Sequence, residues 1–443
     1  MKLGFISINV PGHLNPMTAL ARQLQTRNHE VVFLYSSGAA GLPFIPGPEK
    51  DHVNENISKV SKMQGDDVLE LSVCLVLTQT ERILKSLPAI VEATGIDAFV
   101  LDAVQWYAEL GAMRLDIPYI HVSNALYYDY SRRTPLAYYG WAHETSPQAL
   151  ARNQQGVQKF ARMLGRHNAG IRAYAELSGL KVDWEDPGYT LSSLASITQT
   201  PKAFDFESSH WPPHFHHTGP FLDDKGREKV DFPWQRLTGE PLIYASLGTL
   251  LNGRSDVFRT IIAALAKHKD LQLVLSIGDQ IDPKQIGPAP SNAIIVSRAP
   301  QLELLKRTSV CITHAGLNTV LESLAQGVPQ VAIPVAYDQP GVAARILHKR
   351  TGVVTSLDRL STDHLAILLT EVLNDSTYRD NARKLQKAIA EANGLSVAAD
   401  LVEESLGVTK KASRTEDVSK QRDNGRLRHH HSSKRVSPEG KLR

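Results

Sequence analysis

Residues 298–339 read RAPQLELLKRTSVCITHAGLNTVLESLAQGVPQVAIPVAYDQ. Ser309–Thr313 is a β-branched run that predicts a strand, and Asn318–Gln326 has the spacing of a helix. His314 to Thr319 is therefore a strand-to-helix turn, in which Gly316 permits tight backbone. The start of such a helix presents free N–H groups and a positive dipole end, a fit for an anion such as a diphosphate. Glu322 follows Asn318 by one helical turn, so its carboxylate can accept from vicinal hydroxyls. Gln330–Pro334 predicts the next strand and Gly341–Lys349 the next helix.

The same alternation extends upstream. Pro241–Ser246, Leu271–Ile277 and Ala293–Val296 predict strands, and Val257–Lys267 a helix. Tyr244–Thr249 (YASLGT) is a second small-residue turn after a strand, where Ser246 and Thr249 can supply phosphate donors. In the first half, Leu3–Val10, Glu30–Tyr35, Ala98–Leu101 and Pro118–Ser123 predict strands, and Pro16–Arg27 and Tyr107–Leu115 helices. Strands alternating with helices imply α/β architecture with parallel sheets covered on both faces. The organisation is read as domain 1–218, linker 219–240, domain 241–390, a C-terminal helix in 391–408 packing back on the first domain, and a basic disordered tail 409–443.

Charged residues make up 21% of the 443, the balance of an ordinary folded protein. The net charge of +3 divides unevenly. Residues 409–443 hold 11 Lys and Arg against 4 Asp and Glu, while the first 408 hold 38 against 42. The folded body is thus mildly acidic, which gives no support to nucleic-acid binding. The tail has too few apolar residues for a core, and reads as a solvated extension or a binder of acidic partners. Two cysteines, Cys74 and Cys311, exclude a disulfide scaffold or a cysteine-rich metal site. No run of about 18 apolar residues is present, so no transmembrane helix is expected.

The first β→α turn, Asn9 to Pro16, lacks the dinucleotide-binding glycine pattern and contains His13. His13 follows a strand and Asp102 ends another, so both are expected at the carboxyl edge of one parallel sheet, where open α/β folds bind ligands. In contact, Asp102 would fix the imidazole tautomer and stabilise imidazolium, as a general base requires; apart, Asp102 would serve as a helix cap. Leu126–Trp141 packs six aromatics beside Arg132 and Arg133, and either lines an apolar pocket or fills core. Leu69–Leu77 reads as a mildly apolar loop, and Gly38–Val53, rich in Gly and Pro, as a longer one.

The ordered set Pro300-Gln301, His314, Gly316, Asn318, Glu322, Gly327-Val328-Pro329 and Asp338-Gln339 closely resembles the nucleotide-sugar signature of the UDP-glycosyltransferase family. The resemblance spans most of residues 1–405. It implies a GT-B fold, two Rossmann-like parallel-sheet domains facing a cleft, and inverting, metal-independent transfer with UDP-glucose as donor. On that resemblance His13 is the base and Asp102 its partner. Arg298 replaces a common stacking tryptophan at the uracil, beside Ala299 and Gln301. Glu322 holds the ribose; His314, Gly316, Asn318 and Thr319 take the diphosphate, with Ser246 and Thr249 nearby; Asp338 and Gln339 hold the sugar. Leu317 stands where plant members carry tryptophan, and Thr319 where they carry serine, which leaves the sugar less determined than the nucleotide.

The expected partners are a UDP-sugar donor and a small hydrophobic or phenolic acceptor, with no nucleic acid, no bound cofactor or metal, and no integral membrane segment. Because membrane-bound animal members end in an apolar helix and this chain in a charged tail, the resemblance implies a soluble cytoplasmic enzyme. Phe215–Leu222 (FHHTGPFL) is similar to the segment before the linker in bacterial glucosyltransferases of lipophilic acceptors. Two alternatives stand beside this reading: a non-catalytic nucleotide-sugar-binding protein, and a glucosyltransferase of carotenoid- or sterol-type alcohols.

Overall fold

A computed structural model describes residues 1–35, 41–47, 59–208, 210–227 and 229–408. Most of the expected Gly38–Val53 loop and the whole basic tail lie outside the described residues.

The strands are β1 (Lys2–Ile6), β2 (Glu30–Leu34), β3 (Phe44–Ile45), β4 (Ala98–Asp102), β5 (Tyr119–Ser123), β6 (Ser196–Thr198), β7 (Phe215–His217), β8 (Leu242–Ser246), β9 (Gln272–Ser276), β10 (Ala293–Val296), β11 (Thr308–Thr313), β12 (Gln330–Ala332) and β13 (Gly352–Val354). They form two sheets, ordered β3-β2-β1-β4-β5-β6-β7 and β10-β9-β8-β11-β12-β13. Neighbouring pairs are parallel throughout, from β1 on β2 and β4 to β12 on β13. In each sheet the order reverses beside the first strand of its half, at β1/β4 and at β8/β11. Such a switch point opens a crevice at the carboxyl ends of the strands.

The helices are α1 (Pro11–Gln25), α2 (Gly65–Thr94), α3 (Glu109–Arg114), α4 (Pro147–His167), α5 (Ala169–Leu177), α6 (Ser255–Leu265), α7 (Gln301–Leu305), α8 (Leu317–Leu324), α9 (Gln339–His348), α10 (Thr362–Asn374), α11 (Ser376–Ala392) and α12 (Gly394–Ser405). In α1, Met17, Leu20, Ala21 and Leu24 form the buried stripe and pack on Leu3 and Phe5 of β1. The helix α12 returns to this core through Ala398, Ala399 and Val402. Its Asp400 and Glu403 accept from Arg27 Nη1 at 2.8 and 2.7 Å.

Two expectations from the sequence need correction, and one open alternative is decided. Leu69–Leu77 is not a loop but part of the 30-residue α2, whose buried face runs Val68, Leu69, Val73, Val76, Leu77, Thr80, Ile83, Leu84, Leu87. That spacing is helical, and the acidic pair Asp66 and Asp67 occupies the first turn, where the dipole favours it. Second, α1 starts at Pro11, five residues earlier than expected, so Pro16 lies inside the helix and His13 in its first turn. Third, the aromatic insert is mainly core. Tyr127 and Tyr138 are buried, Tyr139 stacks on Trp141 at 3.9 Å, and of the six only Tyr128 lines the interlobe cavity.

The two sheet lobes are joined by a buried ion pair. Arg345 of α9 donates from Nε to Asp205 Oδ1 at 2.8 Å, and both side chains are nearly inaccessible. Tyr127 Oη donates to Asp205 Oδ2 at 2.6 Å, and His217 Nε2 lies 2.7 Å from the same oxygen. Arg345 also donates to the Gly341 carbonyl at 3.0 Å and covers the Phe206 ring at 4.2 Å. Burial would raise the Asp205 carboxyl; the Arg345 charge and its other donors hold it well below the usual carboxylate range. Removing one member of a buried pair costs about 3–5 kcal/mol, because the other charge is stranded. Asp205→Ala is therefore expected to lower the urea midpoint sharply, and Asp205→Ala with Arg345→Met to recover part of the loss.

Candidate active site

Between the lobes lies a cavity of about 1430 Å³. Its lining includes His13, Ser246, Thr249, Arg298, Ala299, Gln301, His314, Gly316, Asn318, Thr319, Glu322, Asp338 and Gln339. Asp102 stands directly behind His13, fully buried.

On the N-terminal side, β1 and β4 are neighbours with Ile6 opposite Leu101. The residues that follow, Ser7 and Asp102, meet where the strands end, and Ser7 Oγ donates to Asp102 Oδ2 at 2.9 Å. His13 Nδ1 lies 2.8 Å from the same oxygen. An ionised carboxylate only accepts, so Nδ1 carries the proton and Nε2 is the basic nitrogen. The Asp102 Oδ1 accepts from Val104 N at 3.3 Å, closing a local turn. Asp102 caps no helix, because α3 begins seven residues later.

Burial would lower the His13 pKa, but the charge and hydrogen bond of Asp102, with Asp338 behind them, leave it raised. Burial would likewise raise Asp102; His13, Ser7 and Asn124 reverse this and leave it lowered. Ser7 and Asn124 escaped the sequence reading. They come beside Asp102 only once β1, β4 and β5 are side by side.

On the C-terminal side, β11 ends at Thr313, Ala315 takes the left-handed φ of 65°, and Gly316 leads into α8. The His314 ring is wedged between two glycines. A Cβ at Gly248 or at Gly316 would come within 2.6 or 2.5 Å of ring atoms. Burial pushes the His314 pKa down to about 4, so the ring is neutral near pH 7. Its Nδ1 is buried without a hydrogen-bond partner among the described residues.

A chain of hydrogen bonds orders the next residues. Tyr244 Oη donates to Gln301 Oε1 at 3.0 Å, and Gln301 Nε2 donates to Glu322 Oε2 at 2.6 Å. Arg298 is tied to Asp279 through Nε at 2.9 Å, at the exposed rim. Arg227, from the linker, pairs with the other oxygen of Glu322, a contact that nothing in the sequence pattern announced.

Two residues expected to meet the donor also bridge the lobes. Pro16 has no N–H to give the Gly12 carbonyl four residues earlier, and Asn318 Nδ2 reaches across to that carbonyl at 2.6 Å. Asp338 Oδ2 accepts from Leu126 N at 2.8 Å. Burial raises the Asp338 pKa against the opposing pull of Leu126 N–H and His13. Gln339 Oε1 accepts from Val335 N and Ala336 N at 2.8 and 3.0 Å, which leaves its amide NH₂ as the end that can meet a ligand. Arg132 and Arg133 are exposed and do not line the cavity.

Among the described residues, no three or more His, Cys, Asp or Glu are grouped to hold a metal ion, and no helix is long and apolar enough to cross a membrane.

Comparison with known proteins adds the family. Residues 191–391 match the model described as UDP-glucoronosyl and UDP-glucosyl transferase. Zeaxanthin glucosyltransferase of Pantoea ananas is 27% identical over 407 residues, covering 89% of this chain and 93% of that protein. The NDP-glycosyltransferase YjiC of Bacillus subtilis (strain 168) is 26% identical over 407 residues, covering 89% and 95%. Among solved structures, the glycotransferase of kitacinnamycin superposes with a TM-score of 0.71 at 23% identity, over 91% of this chain and 98% of that one. With the matched domain, relatives along nine-tenths of its length and two facing parallel sheets, the chain carries a UDP-glycosyltransferase domain over residues 191–391 and is a transferase with the GT-B fold.

Proposed function

We propose that this transferase moves a hexose, glucose foremost, from UDP to a hydroxyl of a small lipophilic or phenolic acceptor with inversion and without a metal ion. The observation that carries the proposal is the 2.8 Å His13–Asp102 pair, which shares one cavity with the His314–Thr319 turn.

In this reaction His13 Nε2 takes the proton of the acceptor hydroxyl while its oxygen bonds to the anomeric carbon. The bond from that carbon to the diphosphate oxygen breaks on the opposite face, and UDP leaves with the electron pair. Asp102 stabilises the imidazolium so formed. The leaving charge falls on the N-terminus of α8 and on neutral His314, which donates one hydrogen bond from a fixed position. Asp338 and the Gln339 amide would hold sugar hydroxyls, which requires donor binding to displace Leu126 N–H or share Asp338 with it.

The acceptor side of the cavity supports the lipophilic class. Ile8, Leu69, Val76, Val104, Trp106 and Tyr128 line it. A second reading, a carotenoid- or sterol-type alcohol as acceptor, is favoured by two relatives named zeaxanthin glucosyltransferase at 27% and 28% identity.

Removal of the base is expected to cost about 10²–10⁴-fold in transfer. His13→Ala should lose that much UDP release from UDP-glucose, assayed in EDTA with a panel of phenols and lipophilic alcohols, while UDP affinity in calorimetry stays near the parent's. UDP-glucose binding without release for any acceptor would favour the non-catalytic alternative. The base works unprotonated, so kcat/KM should rise with pH and level off above the raised His13 pKa, with its inflection above 6.5. Asp102→Asn removes the main raising influence, so the inflection should move to lower pH as the maximal rate falls. On the donor side, Gly316→Ala drives a methyl into the His314 ring and should weaken UDP binding about tenfold or more, the scale of one charge-assisted hydrogen bond.

A further inference from the structure

The linker delivers one guanidinium that the transfer mechanism above leaves unused. Asp223 pairs with Arg22 of α1 at 2.8 Å and accepts from Lys225 N at 2.9 Å, and Arg227 N donates to the Asp224 carbonyl at 3.1 Å. Gly226 lies against the Arg22 guanidinium so closely that a Cβ would come within 2.3 Å of it. This turn is therefore stapled to the N-terminal lobe, and from it Arg227 crosses the cavity to α8 of the other lobe. Its Nη2 donates to Glu322 Oε1. The Glu322 side chain is 5% exposed and that of Arg227 25%. Arg227 Nε is buried and finds no partner among the described residues.

In a planar guanidinium, Nε–H and Nη2–H share one edge and point the same way. Nη2 is spent on Glu322, and the unpartnered Nε belongs to the same guanidinium; both residues line the cavity. A carboxylate only accepts and a guanidinium only donates. A hydroxyl satisfies both at once, donating its proton to the first and accepting on its oxygen from the second.

We propose that Arg227 and Glu322 together read a ribose hydroxyl of the donor nucleotide, which donates to Glu322 while its oxygen accepts from Arg227 Nε–H. This rests on the reading of the cavity as a UDP-sugar site and adds the residue that makes that site selective for a ribonucleotide. A deoxynucleotide would leave the buried Nε–H without an acceptor, and sites built around a hydroxyl reject analogues that lack it. Arg227 also offsets the negative charge that Glu322 places near a diphosphate.

The test is calorimetric titration of parent, Arg227→Gln and Arg227→Lys with UDP, 2′-deoxy-UDP and 3′-deoxy-UDP, each protein first checked by thermal melting. The parent should bind UDP about 10- to 100-fold tighter than at least one deoxy analogue, the range of a hydrogen bond to a charged group. Both variants should lose most of that preference, chiefly through weaker UDP binding. Arg227→Lys keeps the charge and loses the fork, so a preference retained by lysine would overturn the geometric claim. An unchanged preference in Arg227→Gln would overturn it as well. So would tighter UDP binding by that variant, since Arg227 would then compete with the nucleotide for Glu322. A parent that binds none of the three nucleotides would defeat the donor-site reading itself, and the proposal with it.

Discussion

The Arg345–Asp205 pair, closed off from water between the lobes, is the constraint on which the rest of the molecule depends. A charge pair in that position contributes little net stability, because desolvation consumes most of the Coulomb gain. What it supplies is geometry. A guanidinium satisfied by Asp205, the Gly341 carbonyl and Tyr127 Oη has one arrangement that works, and sliding the lobes would break the contacts to Asp205 and Tyr127. The cavity inherits its width from this lock. The His13 turn and the His314 turn belong to different sheets, and they face each other because the lobes are registered by this pair and by the Asn318 and Asp338 bridges.

Some departures from local backbone rules lie beside that cavity, while others, such as Asn28 and Asp116, lie elsewhere. Pro16 sits inside α1, Ala315 and Tyr337 hold left-handed φ angles of 65° and 60°, and Gly12 keeps a carbonyl that its own helix cannot bond. Each costs local stability and each serves the cleft. The orphaned Gly12 carbonyl gives Asn318 a partner on the opposite lobe, and the turns at Ala315 and Tyr337 precede α8 and Asp338.

Two histidines in the same cavity are driven in opposite directions. His13 has a buried carboxylate at its back and a second one near, so its protonated form is favoured despite burial. His314 is equally buried and lies between glycines, so it stays neutral. The difference divides labour: one ring can take up a proton and keep it for a step, and the other can donate a hydrogen bond without changing charge.

Periodicity along the chain determined the fold class and much of the element order. Five of the six second-half strands were legible almost residue by residue, all but β13, because a strand buried on both faces is a short apolar run bounded by Gly, Pro and charge. The residue types of the site were legible too, since strand-to-helix turns carry His13, His314 and Asn318 at recognisable offsets. α2 was misread because part of its buried stripe was taken for an isolated apolar segment. Its partners, α4 and α5, come much later in the chain. Tertiary structure alone decided that Ser7 and Asn124 support Asp102, that Asn318 and Asp338 span the lobes, and that a linker arginine reaches Glu322. None of these contacts joins neighbours along the chain. Local spacing carries information about one turn or one strand, whereas a contact between residues 95 apart, such as Arg227 and Glu322, exists only after two sheets and a linker have packed.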